Sequence, residues 1–438
     1  MSSQPLKKLS RRDMLKLLGI GAAGAMMPSL GSRILAQGIE PVGEITIWDR
    51  AGDLFQVIDA AIPAFNEKYP DIIVNHQAFE TSELAPTLVS GVNVPDGAFI
   101  EDEFQGTISQ HLLDITEWMQ PYVDDLVNYK VAVNTYDGQI KGIPYDVDPA
   151  MLFYRADILE ENGINIDDIV TYDDLIDAAV KLKEANPEMY PIHMETTPGL
   201  IVLWVSMLAN QQDASIIDAN GELSIETDEF LNIMNFIKKA IDADVANMSS
   251  FVQPGDIAAC DQDIQVFYPW AIWFNYQVDA LLNESRGKWR VAPLPVWSEN
   301  GARTASMGGS SFVIPAGGAN PELAWLFYEY MMLTVEGISA AFGPNEIYPG
   351  GITTVIPAYK PAFDVHLMEN PESLGGQDLY TFATELVNEI PSNYYFPTWY
   401  SQLADFLGAN VQRLQAGEIT PEEVLSRSAS EIRSNLMR

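Results

Sequence analysis

The chain has 438 residues with 24 Lys and Arg against 61 Asp and Glu, which gives a formal net charge of -37. Proteins that bind nucleic acid or anionic lipid over a broad surface need basic clusters, so this balance excludes both classes for the main body of the chain. Hydrophobic residues make up 47% of the sequence and aromatic residues 10%, enough for a large core. The sequence therefore indicates a folded, soluble, strongly acidic protein, and its length favours two domains or one large domain split by a cleft.

The N-terminal segment has the layout of an export signal. Basic residues cluster within residues 7–16, and an apolar stretch follows over residues 17–27, shorter than the roughly 20 residues that a membrane-spanning helix needs. The pair Arg11 and Arg12 lies in a segment that resembles the twin-arginine (Tat) export motif, and Sec export is the alternative. We predict that residues 1–36 are a twin-arginine-type signal peptide and that the mature protein is exported.

The first elements after this segment alternate between strand and helix patterns. Residues 44–48 alternate as a strand does, residues 53–69 have a helical pattern, and residues 72–76 and 96–101 form two further short strands. Strand, helix and strand in succession are typical of an α/β domain with parallel strands.

A second set of elements begins near residue 151. Residues 151–154 have a strand pattern, and Thr171 with Asp174 forms a capping box that begins a helix. Prolines at the first helical position predict helix starts at Pro321 and Pro421. One further helix carries an apolar stripe on one face, formed by Phe230, Ile233, Ile237 and Ile241.

A series of short motifs, in order along nearly the whole mature chain, resembles one known family. The motifs are Phe65-Asn-Glu-Lys-Tyr69-Pro70, Asp137-Gly-Gln-Ile-Lys-Gly-Ile-Pro144-Tyr145-Asp146, Phe153-Tyr154-Arg155-Ala-Asp157, Thr171-Tyr-Asp-Asp-Leu175, Val291-Ala-Pro-Leu-Pro295, Met307-Gly-Gly309, Ala324-Trp325-Leu-Phe327 and Phe396-Pro-Thr-Trp399. Each motif alone is weak. As an ordered set they resemble the extracellular solute-binding proteins of ABC importers, in particular the carbohydrate-binding, maltose-binding-protein-like family 1.

The resemblance implies an α/β, two-lobed periplasmic-binding-protein fold. Each lobe would be a mostly parallel sheet flanked by helices, and three hinge crossings would join the lobes around a ligand cleft. Mapped by motif, the N-terminal lobe would comprise residues 41–148 plus 297–345, and the C-terminal lobe residues 149–296 plus 346–438.

A sugar site needs flat aromatic rings for the C–H face of the sugar and carboxylates or amides for its hydroxyl groups. Open α/β sheets place their ligands at strand ends, where several such residues fall in this sequence. From these requirements and from the resemblance we predict the following ligand contacts: Trp48, Asp49, Glu101, Asp102, Tyr145, Asp146, Trp270, Trp273, Gly308, Gly309, Tyr348 and Trp399.

Each candidate of the first lobe has a structural alternative. Trp48-Asp49 would equally suit a buried ring beside a helix cap, and Glu101-Asp102 a pair of solvated loop acids. Tyr145-Asp146 lies at the proposed hinge, where the family match favours a role in binding. Arg50 could contact an anionic ligand, but an ion pair with Asp49 or Asp53 is the favoured interpretation.

The candidates of the second lobe centre on Tyr268-Pro-Trp270-Ala-Ile-Trp273. By resemblance Trp270 matches the ligand-stacking Trp of the family, although either Trp270 or Trp273 could face the ligand. Trp399 matches a second sugar-packing Trp, with a helix core as its alternative. Gly308-Gly309 would let the backbone approach a ligand or make a turn with positive φ, and Tyr348 is a weaker candidate near the third crossing.

These patterns favour binding over catalysis. The four histidines lack metal-ligand spacing and no nucleophile motif is present, so we expect no cofactor and no metal. Cys260 is the only cysteine, so neither a disulfide within the chain nor a lipoprotein cysteine near residue 36 is expected.

The leading interpretation is a monomeric, periplasmic or extracytoplasmic protein that captures a sugar or oligosaccharide and delivers it to an ABC transporter permease. The alternatives are the same fold binding a polyol, sugar phosphate or sugar acid, and an exported glycan-active enzyme.

Overall fold

A computed structural model describes residues 7–8, 39–52 and 54–437. Apart from Lys7 and Lys8, the predicted signal peptide lies outside the described residues, as does Asp53. The described chain divides into two compact units. Unit one takes its residues from Met1–Asp146, Ser310–Ile352 and Pro357–Leu367, and unit two from Val147–Gly309, Thr353–Ile356 and Met368–Arg438.

Ten strands form the two main sheets: β1 Gly43–Arg50, β2 Ile72–Phe79, β3 Gly97–Glu101, β4 Gly142–Pro144, β5 Ala150–Arg155, β6 Ile192–Glu195, β7 Ala246–Ser249, β8 Phe267–Ala271, β9 Trp289–Ala292 and β10 Ser310–Val313. Two-residue strands are Lys7–Lys8, Ile39–Glu40, Thr135–Tyr136, Gln139–Ile140, Asp146–Val147 and Ile356–Pro357.

The α-helices are α1 Val57–Lys68, α2 Thr81–Ser90, α3 Asp102–Gln105, α4 Thr116–Met119, α5 Asn128–Val133, α6 Ala156–Glu161, α7 Tyr172–Ala185, α8 Pro198–Asn210, α9 Asp228–Asp242, α10 Pro254–Asp261, α11 Phe274–Tyr276, α12 Pro321–Leu333, α13 Val335–Phe342, α14 Leu379–Val387, α15 Ala409–Gln415 and α16 Pro421–Asn435. Short 3-10 segments are Gly106–His111, Val123–Asp125, Ile166–Asp168, Lys360–Ala362, Glu372–Leu374 and Tyr400–Gln402, and π-helical turns are Gln277–Leu281 and Ala404–Gly408.

Unit one is built on a five-stranded sheet with the order β2-β1-β3-β10-β4. β1 pairs in parallel with β2 and β3, whereas β10 runs antiparallel to its neighbours β3 and β4. Ile45 and Ile47 on alternate positions of β1 are fully buried, as the alternating pattern predicts. The predicted opening of strand, helix and parallel strand is confirmed.

Unit two repeats this arrangement with a five-stranded sheet of order β7-β6-β8-β5-β9. β6 is parallel to β7 and β8, and β5 is antiparallel to β8 and β9. The buried Trp204 on α8 donates its indole N–H to the carbonyl of Pro269 on β8 at 3.2 Å, which fixes this helix against the sheet. The α/β fold class with mostly parallel sheets is therefore confirmed in both units.

Local capping signals are also confirmed. The Thr171 hydroxyl accepts the amide of Asp174, and the Asp174 carboxylate accepts the amide of Thr171, so α7 begins with the predicted capping box. α16 begins with the same reciprocal pair, formed by Thr420 and Glu423. These bonds satisfy amides that the first helical turn leaves without partners.

The segment 297–309 belongs to unit two, whereas the sequence assigned it to the first lobe. Trp297 stacks on Tyr172 with ring centroids 4.1 Å apart. The Thr304 hydroxyl donates to the carbonyl of Ala150 at 2.8 Å. These contacts keep the segment beside the strands of unit two, so the chain enters unit one only at Ser310.

The C-terminal limits differ from the sequence assignment in the same way. Residues 346–352 and 357–367, which the motif mapping assigned to the second lobe, lie in unit one. Residues 147–148, which it gave to the first lobe, lie in unit two. The chain passes between the units at Asp146–Val147, at Gly309–Ser310 and three times between Ile352 and Met368.

Two features are absent from the described part of the chain. None of its helices is long and apolar enough to cross a membrane. Within residues 7–8, 39–52 and 54–437, no three His, Cys, Asp or Glu side chains are arranged to hold a metal ion.

We expect Ile237→Ala to lower the free energy of unfolding of unit two by about 2–5 kcal/mol, because Ile237 is fully buried on the apolar face of α9. Asn235→Ala on the exposed face of α9 is the matched control and should change the free energy by less than about 0.5 kcal/mol. Chemical denaturation measures both. Equal losses would contradict the assigned orientation of this helix.

Candidate functional site

The carboxyl ends of β1 and β3 bring Arg50 and Glu101 together in unit one. Arg50 Nη1 lies 3.5 Å from Glu101 Oε1, and its guanidinium lies over the ring of Phe99, 5.1 Å from the centroid. The other carboxylate oxygen, Oε2 of Glu101, is buried and has no hydrogen-bond partner among the described residues. Glu101 is therefore oriented by Arg50 and keeps one carboxylate oxygen unused as an acceptor.

Asp49 is committed to an internal contact. It is 5% exposed, and its Oδ2 lies 3.5 Å from Nε2 of His76, whose Nδ1 lies 2.9 Å from Asp59 Oδ1. Burial raises the pKa of Asp49, and the contact with His76 offsets only part of that effect. Trp48 is half-buried and stacks on Phe79 with centroids 5.5 Å apart, as part of the packing beneath α2. The Trp48 ring thus packs in part against the core of unit one.

Asp102 is fully buried and paired inside unit one. Its carboxylate forms an ion pair with Lys130, which is also fully buried, and accepts the hydroxyl of Ser311 at 2.7 Å. Asp146 Oδ1 accepts the amide of Ser310 at 2.6 Å and lies 4.0 Å from Lys130 Nζ. Burial raises the pKa of Asp146, although the Lys130 ammonium opposes that change. These partners occupy two of the four carboxylates that the sequence predicted as ligand contacts, Asp102 and Asp146.

The Tyr145 side chain is a core ring in this structure. It is 2% exposed and meets Phe99, Phe312 and Phe342 with centroid distances of 5.9, 5.3 and 5.3 Å. Tyr145 therefore connects the sheet of unit one to α13 through packing.

Unit two holds an aromatic cluster at the end of β8. The fully buried Trp270 stacks on Phe251 at 5.5 Å and meets the edge of Trp273 at 5.2 Å. Trp273 is half-buried, and its indole N–H donates to the carbonyl of Met307 at 3.1 Å. Of the two rings that the sequence left open, Trp273 is the partly exposed one, and the fully buried Trp270 packs against it.

A buried polar layer lies behind these rings. His193 stacks on Tyr268 with centroids 3.9 Å apart and meets the edge of Trp270 at 5.4 Å. His193 Nδ1 lies 3.4 Å from Asp256 Oδ1, and its Nε2 lies 3.8 Å from Glu195 Oε2. Burial opposes ionisation of Asp256, but the bond with His193 and further hydrogen bonds outweigh it and lower the pKa of Asp256.

The sequence missed this layer because its three members are spread over 64 positions. Only their strand and helix positions bring them together: β6 carries His193 and Glu195, and α10 carries Asp256. The available signal was the alternation of His193 and Glu195 on one strand, since residues two apart lie on the same face.

The remaining candidates lie at chain junctions and turns. Gly308 and Gly309 have φ values of 86° and 107°, which favour glycine. A Cβ on Gly308 would meet Asp148 Oδ2 at 3.5 Å and Trp273 Nε1 at 3.9 Å, so the glycine lies against the aromatic cluster. Trp399 in unit two and Tyr348 in unit one are both half-buried. Tyr348 lies in a turn, where its own amide donates to the side-chain oxygen of Asn345 at 2.8 Å.

Two α/β units of like topology, joined by several chain passages and carrying aromatic and carboxylate side chains at strand ends, define the class of two-lobed solute-binding proteins. The profile of the bacterial extracellular solute-binding proteins matches residues 51–334, well over half of the sequence. The chain belongs to that family.

Two relatives and one solved structure illustrate the similarity. An arabinooligosaccharide-binding protein of Halalkalibacterium halodurans is 25% identical over 438 residues, with 92% of each chain covered. A protein of the same description from Bacillus subtilis is 24% identical over 420 residues, with 89% of this chain and 92% of the relative covered. The galacto-N-biose-/lacto-N-biose I-binding protein of an ABC transporter from Bifidobacterium longum shares the fold with a TM-score of 0.72, at 20% identity, over 90% of this chain and 97% of that chain.

We expect Glu103→Gln to remove a loss of stability that the parent protein undergoes as the pH rises from 4.5 to about 8. Burial, reinforced by repulsion from Glu101, raises the pKa of Glu103 from 4.5 to about 8. Protonated Glu103 is favoured in the folded state, so its contribution is fully present below pH 4.5 and is lost as the pH rises through about 8. Over this window the variant should gain about 1.4 kcal/mol per pH unit relative to the parent.

Urea unfolding of both proteins at pH 4, 6, 7 and 9 measures this difference. A difference that stays constant with pH would contradict the assignment of Glu103 as a buried carboxylic acid.

We expect Trp270→Ala to cost unit two about 3–5 kcal/mol of folding free energy, because the whole ring is buried. Trp273→Ala should cost clearly less, since that side chain is only partly buried. Calorimetric unfolding compares the two. The reverse order of stability would show that Trp273 is the structural ring.

Proposed function

We propose that this protein captures a neutral sugar or oligosaccharide and delivers it to the permease of an ABC transporter. The observation that carries the proposal is the Trp273 platform: a half-buried indole fixed by its N–H bond to Met307 and braced by Trp270. Such a ring presents a flat apolar face with little conformational freedom, which suits the C–H face of a sugar. Glu101, with its unpartnered oxygen, is the proposed hydroxyl acceptor on unit one.

The electrostatics favour a neutral ligand over a sugar phosphate or sugar acid. The formal net charge is -37, so an anion meets general repulsion. Arg50, the arginine considered for contact with an anion, already pairs with Glu101, and Arg303 likewise pairs with Glu389. The names of the two relatives direct attention to arabinooligosaccharides within the neutral class.

We also propose that the protein is exported through the twin-arginine route and works as a monomer without catalysis, cofactor or metal. The Arg11-Arg12 pair ahead of an apolar stretch supports the route. The family supports extracytoplasmic work with a permease as the partner. The acidic composition disfavours nucleic acid as a partner.

We expect a neutral saccharide to stabilise the protein in thermal unfolding. The panel holds arabinooligosaccharides, galactosides, maltodextrins and polyols, with sugar phosphates and sugar acids as the anionic arm. A ligand at 100 times its Kd should add about 2.7 kcal/mol to the free energy of unfolding. Trp273→Ala and Glu101→Gln should each weaken the response, because the first removes the aromatic face and the second replaces a charged carboxylate with a weaker, neutral amide acceptor.

The exposed pair Lys238 and Asp242, on unit two, offers the matched control Lys238→Met, which should bind like the parent. Stabilisation by the anionic arm alone would replace the proposal with its sugar-acid alternative. Release of product from a glycan by the pure protein would indicate an enzyme.

A further inference from the structure

Three passages of the chain into or out of unit one meet at the backbone of Tyr145. The chain leaves unit one after Asp146, returns at Ser310 and returns again at Pro357. The Tyr145 amide donates to the carbonyl of Ser310 at 3.0 Å, and the Ala358 amide donates to the carbonyl of Tyr145 at 3.4 Å. Main-chain hydrogen bonds of Tyr145 therefore connect the three segments of unit one at which the chain enters or leaves it.

Lys130 lies at the same junction and is fully buried. Its ammonium donates to the carbonyl of Ser310 at 2.8 Å and forms an ion pair with Asp102. Asp146, 4.0 Å from the ammonium, accepts the Ser310 amide. Both main-chain groups of Ser310 are therefore held by Lys130, Asp146 and Tyr145.

The contacts of Lys130 are linked to Glu101, the proposed hydroxyl acceptor, by one pair of opposite residues in the sheet. Ser310 lies directly opposite Glu101 in the antiparallel pairing of β10 with β3, and Asp102 is the next residue after Glu101. Lys130 therefore holds the residue across from Glu101 and the residue beside it. A shift at either point would move the Glu101 carboxylate.

Stability alone gives little reason for this group of buried charges. Removing a lysine and an aspartate from water is costly, and replacing a buried ion pair with apolar side chains is often neutral or stabilising. The pair instead fixes the positions of the groups around it, because the Lys130 ammonium donates to the Ser310 carbonyl and to the Asp102 carboxylate in a defined geometry.

We propose that Lys130 is a positioning residue for ligand binding, which fixes Ser310 and Asp102 and thereby holds Glu101 and the three chain passages in one register. This inference rests on the proposed sugar-binding function for its affinity readout, whereas its readout of backbone motion requires no ligand.

The test is the double variant Lys130→Met/Asp102→Asn, which removes both charges, keeps similar side-chain volumes and leaves an oxygen acceptor for Ser311. Hydrogen exchange followed by mass spectrometry should show the amides of Tyr145 and Ser310 exchanging at least about tenfold faster in the absence of ligand, because their segment has lost its clamp. The Kd for the best saccharide of the panel should rise about tenfold, with the melting temperature close to that of the parent.

Lys141→Met is the matched control. Lys141 also lies in unit one and donates its ammonium to a main-chain carbonyl, that of Leu112 at 3.3 Å, instead of to the carbonyl of Ser310. The control should retain the parent's exchange at Tyr145 and Ser310 and its Kd. Lys130→Arg, which keeps both charges and changes only the donor geometry, is the milder variant should the double variant fail to fold, and it should change both readouts in the same direction by about threefold.

Unchanged exchange in a folded variant would overturn the clamp, and faster exchange with an unchanged Kd would overturn the positioning role. A parent protein that binds no saccharide counts against the proposed function and leaves the exchange result standing as the test of the clamp.

Discussion

The pairing of β10 with β3 and β4 is the constraint on which unit one depends. β10 comes more than 160 residues after the chain first leaves the unit. It nevertheless lies inside the sheet, between β3, which carries Ile100, and β4, which carries Ile143. Its insertion brings Ser310 opposite Glu101 and beside Asp146. The sheet of unit one is incomplete until unit two has been traversed, so the two units cannot be independent segments of sequence.

Burial of charge follows from that constraint. A buried carboxylate needs hydrogen-bond donors or an opposite charge, and main-chain amides at strand ends supply donors. Asp146 obtains the amide of Ser310, and Glu195 in unit two obtains the amides of Thr196, Thr197 and Phe251 at 2.6–3.0 Å. Glu101 differs, since one of its oxygens has Arg50 and the other has no partner in the described chain. That difference separates an acid whose acceptors are all used by the fold from one that keeps an unused acceptor oxygen.

The sequence predicted the elements well and the individual contacts less well. Alternation and capping identified β1 and α7 because those signals are local. The segment 297–309 was misassigned because its partners, Tyr172 and Ala150, lie far away in sequence. A strand-end acid next to an aromatic ring looks the same whether it faces a ligand, as proposed for Glu101, or a buried lysine, as observed for Asp102. The deciding residue, Lys130, carried no motif, because a buried lysine is defined by its partners and not by its neighbours in sequence.

In unit two as well, buried polar groups fix the orientation of the side chains proposed to bind the ligand, here the aromatic rings around Trp273. Trp273 can present a fixed face only if the ring beneath it is fixed, and Trp270 is held edge-on by His193, which lies flat on Tyr268. The Tyr268 hydroxyl donates to Asp256 at 3.2 Å, and Asp256 also contacts His193, so the two rings share one acid. An apolar support would pack as tightly but would let the rings slide, whereas hydrogen bonds to a common carboxylate fix their orientation. In each unit, therefore, buried polar groups fix the orientation of neighbouring side chains, and the apolar core supplies most of the free energy of folding.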